Sequence, residues 1–492
     1  MRGQPPTSAI APRKATAVRY LLLVASLAVV VPGCHDPAQV GRPSATVPRP
    51  APTETSAVEF VHTNGGDLVR DPKRPGQPVV SVVFLAQKVT DDGVRELAPL
   101  TDLTELILHR TSVTDAALKD IAAFKNLTTL SLDNTQIAGS GLKDLAPLQN
   151  LTTLSLNFSG VNQEHLKDLA PLKKLTRLGL AEAHVTDSGL KDLVVCRNLT
   201  WLELTLTGVT DAGLKELVAL PRLTHLDLGY TGVTDAGLKE LAPIKTLTSL
   251  VLYETPVTNA GLKNLAEVKS LTTLDLSKTR VTDAGLKELA PLKKLASLDL
   301  FQTRVTGEGM KDLAAIESLV SLGLSQTGVT DSGLKELARI KTLTKLELSW
   351  TRVTDAGLKG LATLENLTSL DLYQTQVTDA GLKELAALRK LSDLDIRKTQ
   401  VTDAGLEELT GLKNLTSLAL SDTRVTDAGL KKLAALKNLT NLKLSTTQIT
   451  DVGMKELAAL KNLAELELYQ ARVTDAGVKE LQQRLPKCKI KR

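Results

Sequence analysis

Six histidines, three cysteines and twelve aromatic residues carry most of the potential chemistry in this 492-residue chain, and their spacing decides what they can do. His109, His184 and His225 lie in different repeats, several strands apart, so no metal-binding pair or proton relay is expected. Cys34, Cys196 and Cys488 are too few and too far apart for a disulfide framework or a zinc site. No phosphate-cradling glycine loop, dinucleotide fingerprint, zinc-protease helix or nucleophile elbow occurs. Nothing in these patterns is catalytic, and no cofactor or metal is expected.

What remains is contact chemistry, visible once positions are counted from a Val or Ile that returns every 24 residues. Eight of the twelve aromatics fall at positions expected on one face: Phe158, Trp201, Tyr230, Tyr253, Phe301, Trp350, Tyr373 and Tyr469. All but Trp201 stand three or four residues before that Val or Ile. Six residues before it runs an acidic column with Glu203, Asp227, Asp275, Asp299, Glu347, Asp371, Asp395 and Glu467, in which only Lys443 is basic. Rigid aromatics on a concave surface are common contact anchors. The ligand-contact candidates are therefore Trp201, Tyr230, Tyr253, Phe301, Trp350, Tyr373 and Tyr469, with Asp299, Glu347, Asp371 and Asp395 beside them. The alternative is a leucine core that rejects aromatics, next to an ordinary solvated strand face.

These positions depend on the period. The anchors Val89, Val113, Ile137, Val161, Val185, Val209, Val233, Val257, Val281, Val305, Val329, Val353, Val377, Val401, Val425, Ile449 and Val473 number 17, with no insertion or deletion between them. A fixed period of this length means a solenoid. Around Leu298 and Leu300 apolar and polar residues alternate, which predicts a short strand. Leu286, Leu289 and Leu292 follow at three-residue spacing, which predicts a helix whose start is capped by Thr282 or Asp283. Parallel strands joined through helices coil right-handed.

Leu295-x-x-Leu298-x-Leu300-x-x-Thr303-x-Val305 resembles the leucine-rich-repeat pattern, and the match runs over about residues 81–474. The resemblance implies an α/β horseshoe with parallel strands on the concave face and helices on the convex face, used for binding. Thr or Ser takes the family's usual Asn or Cys position in 14 of 17 units, suggesting a hydroxyl ladder. Gly stands four residues after the anchor in 15 units, where close backbone approach is expected. Residues 57–80 are expected to cap the N-terminal end, covering Val83 and Leu85, and 475–492 the C-terminal end. Units near Ile137, Val161 and Val185 lose consensus residues and are expected to be the least stable internal stretch. Cys196 and Cys488 are read as core residues.

Residues 1–34 have a basic start, an apolar run from Tyr20 to Val31 and Pro32-Gly33-Cys34. That layout predicts an export signal, because about 12 apolar residues fall short of the roughly 20 needed to span a bilayer. Its end resembles a bacterial lipobox, which implies lipidation of Cys34; ordinary cleavage and an uncleaved anchor are the alternatives. A Pro-rich tether is expected over 35–56. Without the first 34 residues the chain holds 56 basic and 55 acidic residues, so the pI of 8.8 reports targeting and no nucleic-acid surface is expected.

The reading is an exported, non-enzymatic scaffold of the bacterial cell envelope, touching membrane through its lipid alone. Its concave face would bind a protein or glycan. The alternatives are a structural spacer and, with less in its favour, an intracellular substrate-recognition subunit of the ubiquitin-ligase type.

Overall fold

The structure is a computed structural model that describes residues 52–85 and 88–492. Residues 1–51, which hold the expected signal, Cys34 and most of the expected tether, lie outside the described residues. Of the tether's last five residues, Glu54 to Ser56 belong to the first helix, Glu54–Thr63.

From Val79–Leu85 onward each strand pairs in parallel with the next, ending at Lys489–Lys491. The register advances by one 24-residue unit per strand, as in Leu298↔Leu322 and Leu346↔Leu370. From Thr129–Ser131 to Glu465–Glu467 each three-residue strand buries its central leucine, the next residue but one buries a second apolar side chain, and most of the short helices bury two more leucines. In one unit these are Leu346, Leu348, Leu358 and Leu361. At about 1.5–3 kcal/mol per buried leucine, stacking supplies the apolar core that a single unit lacks. Helices are wider than the strand spacing of about 4.8 Å, so the right-handed stack bends with its strands inside.

Three side-chain ladders tie the units together. At most helix starts a Thr is the N-cap, and where the preceding unit carries Asp at the matching position the Thr backbone N–H and hydroxyl both donate to that carboxylate. Thr378 reaches Asp355 at 2.8 and 2.7 Å, and the same pair recurs at Thr402–Asp379 and Thr426–Asp403. The cap is thus the Thr, while the Asp serves the next repeat. This explains the glycine column: a Cβ on Gly381 would lie 2.4 Å from Asp355 Oδ1. The second ladder is formed by the Thr that stands just before most strands, as in Thr368 Oγ1 to Thr344 O at 3.0 Å, and lapses at Ala296, Val320 and Ala464. The third uses the Asn of the Asn-Leu-Thr stretches; Asn366 Nδ2 donates to Lys341 O at 2.9 Å. The hydroxyl at the family's Asn position, expected to form a ladder, instead closes its own turn: Thr351 Oγ1 donates to Leu348 O at 2.6 Å.

The Asp ladder breaks where Gly139, Gln163 and Gly307 replace its Asp, whereas Asn259 keeps the link by accepting the Thr282 N–H and donating to its hydroxyl. The units anchored at Ile137 and Val161 also carry 3₁₀ turns, Leu142–Leu145 and Gln163–Leu169, in place of α-helices.

Both ends are closed. The helix Glu54–Thr63 and the antiparallel hairpin of Asp67–Arg70 with Val79–Leu85 cover the first unit, with Phe60 edge-on to Phe84 at 6.1 Å. Over the part of that strand that faces the first repeat Val82 and Phe84 are buried, as Val79 and Ser81 are before them, whereas Val83 is half-buried and Leu85 exposed. The expected covering of Val83 and Leu85 is therefore one residue out of register. At the other end Ile490 pairs with Leu466, and Cys488 is buried beneath the closing strand.

Candidate functional site

The concave face is made by the two outward residues of each strand and by the turn that follows. Three residues before each anchor the backbone is left-handed in 16 consecutive units, from Arg110 (φ 55°) to Gln470 (φ 59°), although none of these residues is glycine. Such conformations cost about 1–3 kcal/mol each. The cost is offset by an inter-unit bond at the same place: Trp350 N–H donates to Tyr373 O at 2.8 Å. Phe158, Tyr230 and Trp350 stand at this kinked position, and Tyr253, Phe301, Tyr373 and Tyr469 one residue earlier.

The acidic column also has a local task. Asp299 Oδ1 accepts Phe301 N–H at 2.9 Å, Asp371 accepts Tyr373 N–H at 2.9 Å, and Asp395 accepts Arg397 N–H at 3.1 Å. Each carboxylate closes the turn that carries the aromatic or cation two residues on. Burial pushes Asp371 above its ordinary range, reinforced by Asp395 and Glu347 against the hydrogen bonds it accepts. Burial likewise raises Asp275, to about 6, and Glu203 and Asp227.

Three aromatic clusters result. Trp201 lies between Arg177, 3.9 Å from its ring centre, and His225, stacked at 4.9 Å, so neighbouring strands cover its ring. Burial and Arg177 hold His225 below the usual imidazole range. Tyr230 meets Tyr253 edge-to-face at 5.0 Å, and Lys278 sits 4.9 Å over Tyr253 while pairing with Glu254. Trp350 meets Tyr373 edge-to-face at 5.8 Å, and Arg397 and Lys398 approach the Tyr373 ring at 5.0 and 5.6 Å.

The third cluster is the most open. Trp350 is 46% exposed, Asp371 holds the backbone N–H of its ring partner Tyr373, and Gln374 Oε1 is shielded from solvent with no hydrogen-bond partner among the described residues. Glu347 contacts Lys345 at 2.7 Å, and Asp395 holds the Arg397 guanidinium. Phe301 stands apart from these clusters, and Tyr469, 48% exposed, is near the C-terminal end. The structure therefore unites Trp350, Tyr373, Glu347, Asp371 and Asp395 and leaves Tyr253 and Phe301 several strands away. Lys398, Arg397 and Gln374 were not singled out from the sequence; the signal was that Gln374 follows Tyr373 directly, Arg397 stands one unit beyond Tyr373 and Lys398 two units beyond Trp350.

Both described cysteines are buried, and burial pushes their thiols up to about 11. Among the described residues no cluster of His, Cys, Asp and Glu is arranged for a metal, and no helix is long and apolar enough to cross a membrane.

Family models agree with this geometry. The leucine-rich-repeat model matches residues 195–218, 340–362, 363–386, 387–409, 411–434 and 435–458, and the Zer-1-like leucine-rich-repeat model matches 214–313. The chain is a leucine-rich-repeat protein, a class of binding scaffolds. No curated protein matches it. Among solved structures it is similar to an internalin of Listeria monocytogenes (23% identity, 81% of this chain and 98% of that one, TM-score 0.40). It is also similar to a leucine-rich-repeat protein of Leptospira interrogans (24%, 76% and 92%, TM-score 0.47). A third is the Arabidopsis receptor kinase HAESA in complex with a peptide hormone (18%, 83% and 74%, TM-score 0.44).

Proposed function

We propose that this chain is an exported scaffold, lipid-anchored at Cys34 in a bacterial envelope, whose concave face binds a polypeptide carrying a basic group. The observation that carries the reading is the Trp350–Tyr373 pair with Asp371 two residues before Tyr373, a half-buried carboxylate that accepts hydrogen bonds but has no ion pair among the described residues, whereas Glu347 and Asp395 are held by Lys345 and Arg397. Asp371 is raised by burial and by its acidic neighbours, so a cation placed there would relieve repulsion that the free protein bears. Lys398 and Arg397 cover the Tyr373 ring in the free protein, and a ligand cation would compete with them for it. A glycan would use the aromatic faces and leave the acidic column unused.

The test is capture from envelope extract with residues 52–492 immobilised. The expected result is a partner retained by the wild type and by Lys383→Ala on the convex helix but lost in Trp350→Ala/Tyr373→Ala. A partner held equally by all three removes the site from this face. The spacer reading keeps one observation in its favour, the regularity of the ladders, and gains if nothing is retained.

A further inference from the structure

A second charged surface lies away from the concave face, on the loops that return from each helix to the next strand. Twelve residues after the anchor, 11 of the 15 units from Val113 to Ile449 carry Lys or Arg, and only Glu317 and Glu365 carry an acid. The next position adds Lys174, Arg222, Lys294 and Lys390 and no acid. Because the units stack in register, residues 24 apart in sequence become neighbours in space. Six successive units thus present Lys173, Arg197, Arg222, Lys245, Lys269 and Lys293 in single file, all exposed.

Part of this pattern is structural. Lys293 Nζ donates to Ala315 O at 3.2 Å, and Arg389 Nη1 to Gly411 O at 3.0 Å, so these cations serve the carbonyl ends of neighbouring helices. That role consumes one donor of each and leaves the charge intact. Among the described residues none of the six forms an ion pair with a carboxylate, whereas the helix lysines alternate with glutamates. The neighbouring Asn side chains are spent on their own ladder, as at Asn198 to Lys173 O, 2.7 Å. Between Lys245, Lys269 and Lys294 the loops leave a shallow open trough of about 410 Å³, with Glu267 as the one acid on its wall.

We infer that this flank binds a linear acidic polysaccharide, with roughly one carboxylate or sulfate engaged per repeat. The file of single charges at a regular step of about 5 Å follows a flexible chain whose charges are also single and regular. Nucleic acid fits less well: single strands are held by bases stacked on aromatics, and the exposed aromatics of the solenoid lie on the concave face. A duplex backbone turns away from a straight file within a few phosphates. The surface is separate from Trp350 and Tyr373, so it can hold a matrix polymer while the concave face is occupied.

The test is titration of the purified protein with polygalacturonate and dextran sulfate, with neutral dextran as control, followed by affinity electrophoresis. Binding to at least one acidic polymer is expected, weakening at least tenfold in the triple variant Lys245→Gln/Lys269→Gln/Lys293→Gln. Three arginines at the same positions should retain it. Removing the same charge from the helices, Lys239→Gln/Lys263→Gln/Lys287→Gln, should change it less than twofold, and Trp350→Ala/Tyr373→Ala not at all. Equal losses in the flank and helix variants would reduce the effect to net charge and overturn the inference. Absence of binding to both acidic polymers, or tighter binding to single-stranded DNA or anionic vesicles, would also overturn it.

Discussion

The Asp–Thr ladder and the glycine column are one device, and a double-mutant cycle tests that directly. Asp355 accepts the Thr378 N–H and hydroxyl, and a Cβ on Gly381 would sit 2.4 Å from the same carboxylate. Hydrogen bonds to a charged group contribute about 1.5–3 kcal/mol, and Asp355 adds a few tenths to about 1 at the start of its own helix. Asp355→Ala is therefore expected to cost about 2–4 kcal/mol of local stability. Gly381→Ala gains about 1 kcal/mol of helix propensity but must displace the carboxylate, for a net loss of about 1–3. In the double variant the carboxylate is gone and only Leu358 Cδ1, 2.9 Å from the new Cβ, has to shift, which offsets the propensity gain, so it should be about as stable as Asp355→Ala. The coupling is then about 1–3 kcal/mol in favour of the pair. A long repeat array need not unfold in two states, so the assay is amide exchange over residues 355–385. Additivity within about 0.5 kcal/mol would refute the shared mechanism.

Asp275, pushed up to about 6 by burial, binds its proton more tightly folded than unfolded, where its pKa is about 3.9. Stability therefore falls as pH rises through that window, and Asp275→Asn should stabilise at pH 7 by up to about 3 kcal/mol, with the gain gone near pH 4; equal melting of variant and wild type at pH 7 would contradict this. Amide exchange should be faster in the units anchored at Ile137, Val161 and Val185 than between 353 and 449, because ladder bonds are missing at Gly139 and Gln163. Uniform protection would show that 3₁₀ packing compensates. Cys34→Ser should shift the protein from membrane to soluble or unprocessed fractions, and unchanged detergent partitioning would exclude the lipid anchor.

The repeat, its strand and helix halves, the leucine core and the buried Cys196 and Cys488 were legible because each depends on spacing within one unit. What stayed hidden depends on partners one unit away. Thr282 and Asp283 look like a local cap, and nothing along the chain shows that such an Asp bonds a Thr 23 residues later. The left-handed position before each anchor from Val113 to Val473 is never glycine, since the inter-unit bond from residues such as Trp350 holds it, so its sequence gives no warning. The basic flank escaped for the same reason: Lys245, Lys269 and Lys293 form no run in the sequence, and only stacking assembles them. The aromatic columns were visible, but one residue of offset between Trp350 and Tyr373 is what lets their rings meet, and that offset acquires meaning only with the kinked turn.

The central claim is that the concave face binds through Trp350 and Tyr373, and the most direct measurement is affinity for the captured partner in single alanine variants. Each of Trp350→Ala and Tyr373→Ala is expected to weaken binding at least tenfold, about 1.4 kcal/mol, with the melting temperature and the Lys383→Ala control unchanged. Full affinity in the double variant would contradict the claim and move the binding site off this face.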